Sequence, residues 1–235
     1  MANAALSPIR GRTTLTTEVT DRLRKAILTG ELAEGTSLPE AQTAVKFGVS
    51  RVPVREALVE LERQGLVDYD RNGRACVRPF TEDDIYEILS LRAVMQTMAA
   101  RFAATEMTDD DVDRLEGVLA KAEKTTDLTE FSALDTAFHD EIMAVARHRR
   151  LQRAWADLRP QMELWLARLH RRRESVKHDV RKATLKSHRE MLEVLKTRKP
   201  EAAARMMQRH CSWTYLFPTN PDRRLRRVVP TGDLS

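Results

Sequence analysis

Asp135 and His139 stand four residues apart in a stretch that reads as a helix, so their side chains leave the same face. Leu134, Phe138, Ile142 and Val145 surround them and mark that face as turned toward a core. A carboxylate and an imidazole among apolar neighbours need partners. His188 lies mid-helix beside Leu185, Leu192 and Leu195, and His210 follows Ala203, Met206 and Met207 at similar spacing. If these helices converge, three imidazole nitrogens and one carboxylate oxygen would form a site suited to zinc, nickel or manganese. Spacing fits equally well separate core histidines, each satisfied by its own carboxylate or carbonyl. The remaining histidines, His148, His170 and His178, sit in arginine-rich stretches and read as surface. Cys211 is adjacent to His210 and so points roughly 100° away around the helix, outside the group. An open metal position could activate water. No nucleophile–base pair or extra catalytic carboxylate accompanies it, which argues against an enzyme.

A second pair with chemical potential is Arg51 and Arg55, again four apart on a predicted helix. On that helix Val54, Ala57, Leu58 and Leu61 form an opposite, inward stripe. Arginine's planar fork suits two-pronged contact with guanine O6 and N7, and the N-terminal end of a helix is where a recognition helix meets base edges. Ser50 and the first helical amides could hold a phosphate. The alternative is a solvated helix carrying two surface arginines.

The elements that must position these residues follow from periodicity and punctuation. Leu15, Val19, Leu23, Ala26 and Ile27 predict a helix ending before Gly30. A short helix fits Glu40 to Phe47, with Gly48 turning the chain. Ser50 predicts the N-cap of a third helix from Arg51 to Gln64, closed by Gly65. Pro53 falls in its first turn, where a missing N–H costs little. Residues 66–69 and 75–78 read as two strands around the hairpin signal Asn72-Gly73. Helix, helix, turn, helix and hairpin is the order of a winged helix-turn-helix. After Pro79 the spacing predicts six long helices, beginning near Thr81, Thr108, Thr129, Leu151, Asp179 and Pro200. Short loops between them imply an antiparallel bundle. The fold class expected is therefore mainly α, an N-terminal winged helix-turn-helix followed by a C-terminal antiparallel six-helix bundle. The expected divisions are a flexible tail 1–14, a DNA-binding domain 15–80, a helical domain 81–217 and a flexible basic tail 218–235.

Composition agrees with this division. The 235 residues are 42% hydrophobic, with 8 glycines, 2 cysteines and a net charge of +5. That is enough apolar matter for a core, and no stretch is long and apolar enough to span a membrane. Neither common glycine-rich nucleotide loop is present. Two cysteines cannot staple a scaffold and fit a reduced cytoplasm. The charge excess sits in residues 1–80 and 218–235, leaving the middle nearly neutral. A mild basic excess permits nucleic-acid binding without demanding it.

Leu38-Pro39-Glu40, the run Phe47-Gly48-Val49-Ser50-Arg51-Val52-Pro53-Val54-Arg55-Glu56-Ala57-Leu58, then Gly65-Leu66-Val67 and Asn72-Gly73-Arg74 resemble the GntR family of bacterial transcription regulators. The resemblance implies base contacts by Arg51 and Arg55, backbone contacts by Ser50, Val52 and Pro53, and entry of the wing glycine, Gly73, into the minor groove. There are departures. An extra arginine that some members carry in the second helix is absent, with Ala41 and Gln42 in its place. The usual Leu-Ala pair of that helix reads here as Ala44-Val45. Asp135-x-x-x-His139, Ser187-His188-Arg189-Glu190 and Pro200-Glu201-Ala202-Ala203-Ala204 leading to His210 resemble the ligand-binding FCD domain of the FadR subfamily, in its six-helix variant. This implies Asp135, His139, His188 and His210 as ligands of a divalent metal, zinc first and nickel or manganese next. It also implies a small carboxylate effector. Leu91-Arg92 matches a Leu-Arg motif whose basic residue faces that effector, so Arg92 is the expected carboxylate partner. Gln96 replaces the family's usual Glu and is expected to alter effector preference. The whole resemblance implies a cytoplasmic homodimeric repressor on a palindromic operator in double-stranded DNA. A regulator for which the metal is itself the signal is the alternative.

Overall fold

The computed structural model describes residues 12–174 and 180–211. The chain divides into two compact units, Met1–Pro79 and Phe80–Ser235.

In the first unit α1 (Arg12–Thr29) begins inside the stretch expected to be a tail. It buries Val19, Leu23 and Ile27 against α3 (Arg51–Arg63), whose inward stripe is Pro53, Val54, Ala57, Leu58 and Leu61. Thr16 hydrogen-bonds Glu56 and Arg24 hydrogen-bonds Gln64 across the same contact. Between them lies α2 (Glu40–Phe47), stopped by Gly48 at φ +65°, the left-handed conformation that glycine adopts without strain. The inward pair of α2 is Thr43 and Ala44; Val45 is 82% exposed.

β1 (Val67–Tyr69) and β2 (Ala75–Val77) pair antiparallel, with Asp68 opposite Cys76. The hairpin loop has positive φ only at Gly73 and is braced by Asp70, whose Oδ1 accepts from the Asn72 and Arg74 amides. The chain between α1 and α2 adds a third edge that periodicity did not reveal. Leu38 N–H donates to the Ala75 carbonyl, Val77 N–H to that of Thr36, and Gly35 N–H to that of Val77.

The second unit contains α4 (Glu82–Glu106), α5 (Asp109–Lys124), α6 (Leu128–Val145), α7 (Arg149–Glu174), α8 (Val180–Lys196) and α9 (Pro200–Cys211). Capping boxes at Thr81/Asp84 and Thr108/Asp111 start α4 and α5. The core is apolar from every helix: Ala99, Leu115, Phe138, Met162, Met191 and Met207 are all fully buried or nearly so. α4 packs on α6, α7 and α9, and α8 packs on α5 and α9. α6 also packs on α5 and α7. Two arginines close the loops. Arg147 and Arg198, both in left-handed conformations, donate to the carbonyls of Glu106 and Met107 respectively. Among the described residues no helix is long and apolar enough to cross a membrane.

Candidate metal centre and nucleic-acid interface

In the second unit α6, α8 and α9 bring together side chains far apart in sequence. One ring nitrogen each from His139, His188 and His210 lie within 4.8 Å of one another. His139 Nε2 is 3.2 Å from His210 Nε2. Asp135 Oδ1 lies 3.3 Å from His188 Nε2 and 3.8 Å from His139 Nε2. Asp135, His139 and His188 are buried, and His210 is half-buried at the end of α9. Phe138 stacks on His188 with ring centres 4.3 Å apart, which fixes the ring plane.

Burial comes first among the forces on these groups. It pushes His139 and His210 well below the usual imidazole range, and the Arg92 cation and the neighbouring histidines push the same way. Burial lowers His188 to about 4, although Asp135 opposes it. For Asp135, burial alone would raise the carboxyl. The His170 hydrogen bond and the charges of His188 and Arg92 outweigh it and keep the carboxylate ionised. Neutral imidazoles beside an ionised carboxylate are what metal ligation requires. The buried Nε2 of His188 has no hydrogen-bond partner, an orphaned ligand atom that a cation would satisfy. The residues present fit a borderline divalent ion with three nitrogen donors and one oxygen donor.

Arg92 on α4 is 5% exposed, and among the described residues it makes no ion pair with a carboxylate. Its Nη2 donates to His139 Nε2 at 2.9 Å and its Nε to Gln96 Oε1 at 3.2 Å. Gln96 is 1% exposed, and its Nε2 has no hydrogen-bond partner. Cys211 is not one of the clustered ligand atoms, yet its thiol reaches Gln96 Oε1 at 3.3 Å and so belongs to this neighbourhood.

The sequence gives two neighbours of the cluster no role at the site, since Ser187 reads only as part of a motif and His170 as surface. Ser187 Oγ lies 2.8 Å from His210 Nδ1 and holds that ring from behind. His170, expected at the surface, is 2% exposed, and its Nε2 reaches Asp135 Oδ2 at 3.3 Å. The reason is the apolar stripe of α7. Leu158, Met162 and Leu166 precede His170 at helical spacing and carry it inward, while the adjacent arginines obscure the pattern. His148 is half-buried, and its Nδ1 accepts from the Leu151 amide at the start of α7. His178 lies outside the described residues.

In the first unit Arg51 and Arg55 are exposed at the start of α3. Arg55 makes a two-pronged ion pair with Glu40 of α2, at 2.9 and 2.8 Å. Ser50 occupies the N-cap of α3 with extended backbone, but its hydroxyl makes no capping hydrogen bond. Val52 is 40% exposed, and Gly73 stands at the hairpin tip with nothing within 4 Å of the position a Cβ would take. Pro53 is buried in the first turn of α3.

Comparison with known proteins defines the class. Residues 15–77 match the bacterial regulatory proteins of the gntR family, and residues 87–212 match the FCD domain. The chain is 32% identical to the gluconate operon transcriptional repressor of Bacillus licheniformis, over 75% of this chain and 73% of that protein. It is 29% identical to the transcriptional repressor RspR of Escherichia coli K12, over 80% of this chain and 82% of that one. The solved structure of E. coli McbR/YncC shares the fold, with a TM-score of 0.69 at 22% identity, covering 86% of this chain and 97% of that one. The chain belongs to the GntR family and carries an FCD domain, a family of DNA-binding transcription regulators and not of enzymes.

Proposed function

We propose that this protein is a repressor whose grip on an operator is controlled by a small carboxylate bound beside a metal in the helical domain. One observation carries the effector half. Arg92 is a permanent cation, buried, and among the described residues no carboxylate pairs with it. A buried guanidinium with no carboxylate paired to it is costly, and a ligand carboxylate would supply one. The unpartnered amide of Gln96 would offer the same ligand a second donor. Asp135, His139, His188 and His210 would hold the metal, with zinc the first expectation and nickel or manganese next. The ion would supply a Lewis-acid anchor for the effector's oxygens. The relative named for a gluconate operon supports an acid as effector, since gluconate is itself a hydroxylated carboxylate.

Residues 15–80 would bind DNA and residues 81–217 would sense and dimerise. Arg51 and Arg55 would read bases in the major groove, Ser50, Val52 and Pro53 would lie at the phosphate backbone, and Gly73 would let the wing approach the minor groove. The unspent hydroxyl of Ser50 supports a phosphate contact. Glu40 would have to release Arg55, or share it, on binding. A homodimer would place two recognition helices on a palindrome. The exposed apolar stripe Leu91, Val94 and Met98 on α4 is a surface such a dimer would cover. The effector must bind the DNA-competent and incompetent states with different affinity to act at all.

Selection of bound DNA, followed by titration of metal and small acids separately against that DNA, tests this reading. Release by an acid in the presence of metal is the expected result. Switching by limiting metal alone would make the ion the signal instead.

A further inference from the structure

His170 and Ser132 form a relay behind the proposed metal ligands. Ser132 and Asp135 are three apart on α6 and share its inward face with His139. The Ser132 hydroxyl sits 2.9 Å from the Leu128 carbonyl and 2.8 Å from His170 Nδ1. The other ring nitrogen of His170 lies 3.3 Å from Asp135 Oδ2. Phe131 covers the imidazole, with ring centres 5.4 Å apart. His170 is thus gripped at both nitrogens and on its face, in a place where it is 2% exposed.

The two oxygens of Asp135 are divided by this arrangement. Oδ1 faces the histidine cluster, while Oδ2 faces His170 on the far side. A carboxylate free to rotate could offer a metal either oxygen or both. One whose second oxygen is taken up by a fixed N–H can offer only one. Outer hydrogen bonds of this kind orient ligands and raise metal affinity.

We propose that His170, anchored by Ser132, is a positioning residue of the metal centre that holds Asp135 as a single-oxygen ligand and leaves the remaining coordination positions open to the effector. This rests on the metal reading above. It adds to the site a residue on α7, a helix that supplies none of the four proposed ligands.

The test compares the wild type with His170→Phe, His170→Gln and Ser132→Ala. Zinc affinity is measured by competition with a chelating dye, and the visible spectrum is recorded with cobalt in place of zinc. Thermal melts without metal report folding. His170→Phe should lower zinc affinity about 10–100-fold and alter the cobalt spectrum. His170→Gln, whose amide N–H can reach the same oxygen, should recover most of the affinity and the wild-type spectrum. Ser132→Ala should weaken zinc in the same direction by a smaller factor. A folded His170→Phe protein with wild-type affinity and spectrum overturns the proposal. So does His170→Gln as weak as His170→Phe, which would make the ring a packing element only. If His170→Phe does not fold, wild-type zinc affinity in Ser132→Ala overturns it. Wild-type protein that takes up no zinc or cobalt would instead fail the metal reading itself, and the inference with it.

Discussion

The Nη2 of Arg92 donates across 2.9 Å to the Nε2 of His139, joining α4 to α6 through a permanent cation and a proposed metal ligand. The same histidine nitrogen cannot serve the guanidinium and a metal ion equally. Metal binding should therefore loosen Arg92 from His139 and free its donors for a ligand carboxylate. Arg92→Ala should leave zinc uptake intact but blunt the response of DNA binding to small acids. A gel-shift titration checks this, and a normal acid response in the variant would remove Arg92 from the effector site.

His188 has the orphaned nitrogen, so its loss should be felt in metal content before anything else. His188→Ala should reduce bound metal by elemental analysis while leaving DNA-binding competence largely intact. Unchanged occupancy would take His188 off the ligand set.

On the first unit, Arg51→Ala should cost about 1–3 kcal/mol of specific binding and relax base preference at one position of each half-site. Equal loss on random DNA would mean that Arg51 meets only phosphate.

Glu40 holds Arg55 in a two-pronged pair, and the pairing keeps the Glu40 carboxylate below its usual range. Glu40→Gln should free the guanidinium, tighten binding to non-specific DNA and steepen its salt dependence, since one more cation meets phosphate. Binding isotherms at several salt concentrations check this; an unchanged slope would mean that Glu40 does not restrain Arg55.

The capping residue Asp111 gives a pH prediction for stability. Burial alone would raise its carboxyl. Hydrogen bonds from the Thr108 amide and hydroxyl, from Arg147 and from Arg114 outweigh this and hold it at about 2, against an ordinary value of 3.8. Its folded-state pKa is depressed, so its contribution is fully present above pH 4 and is lost as pH falls toward 2. That contribution is about 2 kcal/mol at neutral pH. Thermal melts from pH 6 to pH 2 should show a shallower acid decline in Asp111→Asn than in the wild type; parallel curves would contradict it.

Much of the fold was legible because its punctuation is local. Glu40–Phe47 is read to the residue since Gly48 stops it in a conformation few other residues accept. Thr108 and Asp111 announce α5 through a capping box within four residues. What was hidden depends on distant pairing or on neighbours that mask a pattern. The edge made by Thr36 and Leu38 exists only because β2 is there to receive it. His170 was lost in an arginine-rich stretch of sequence, although its own face points in. Arg147 and Arg198 end helices in left-handed conformations that only their carbonyl partners explain. Asp135 and His139 could be placed on one face from spacing, but nothing local tells a helix which histidines it will meet.

The account depends most on operator recognition governed by a small acid. Fluorescence anisotropy of purified protein with a dyad-symmetric oligonucleotide, against scrambled competitor and with zinc present, measures it directly. The account predicts a clear preference for the symmetric site that falls when the right carboxylate is added. Equal affinity for symmetric and scrambled DNA, with and without candidate acids, would contradict it.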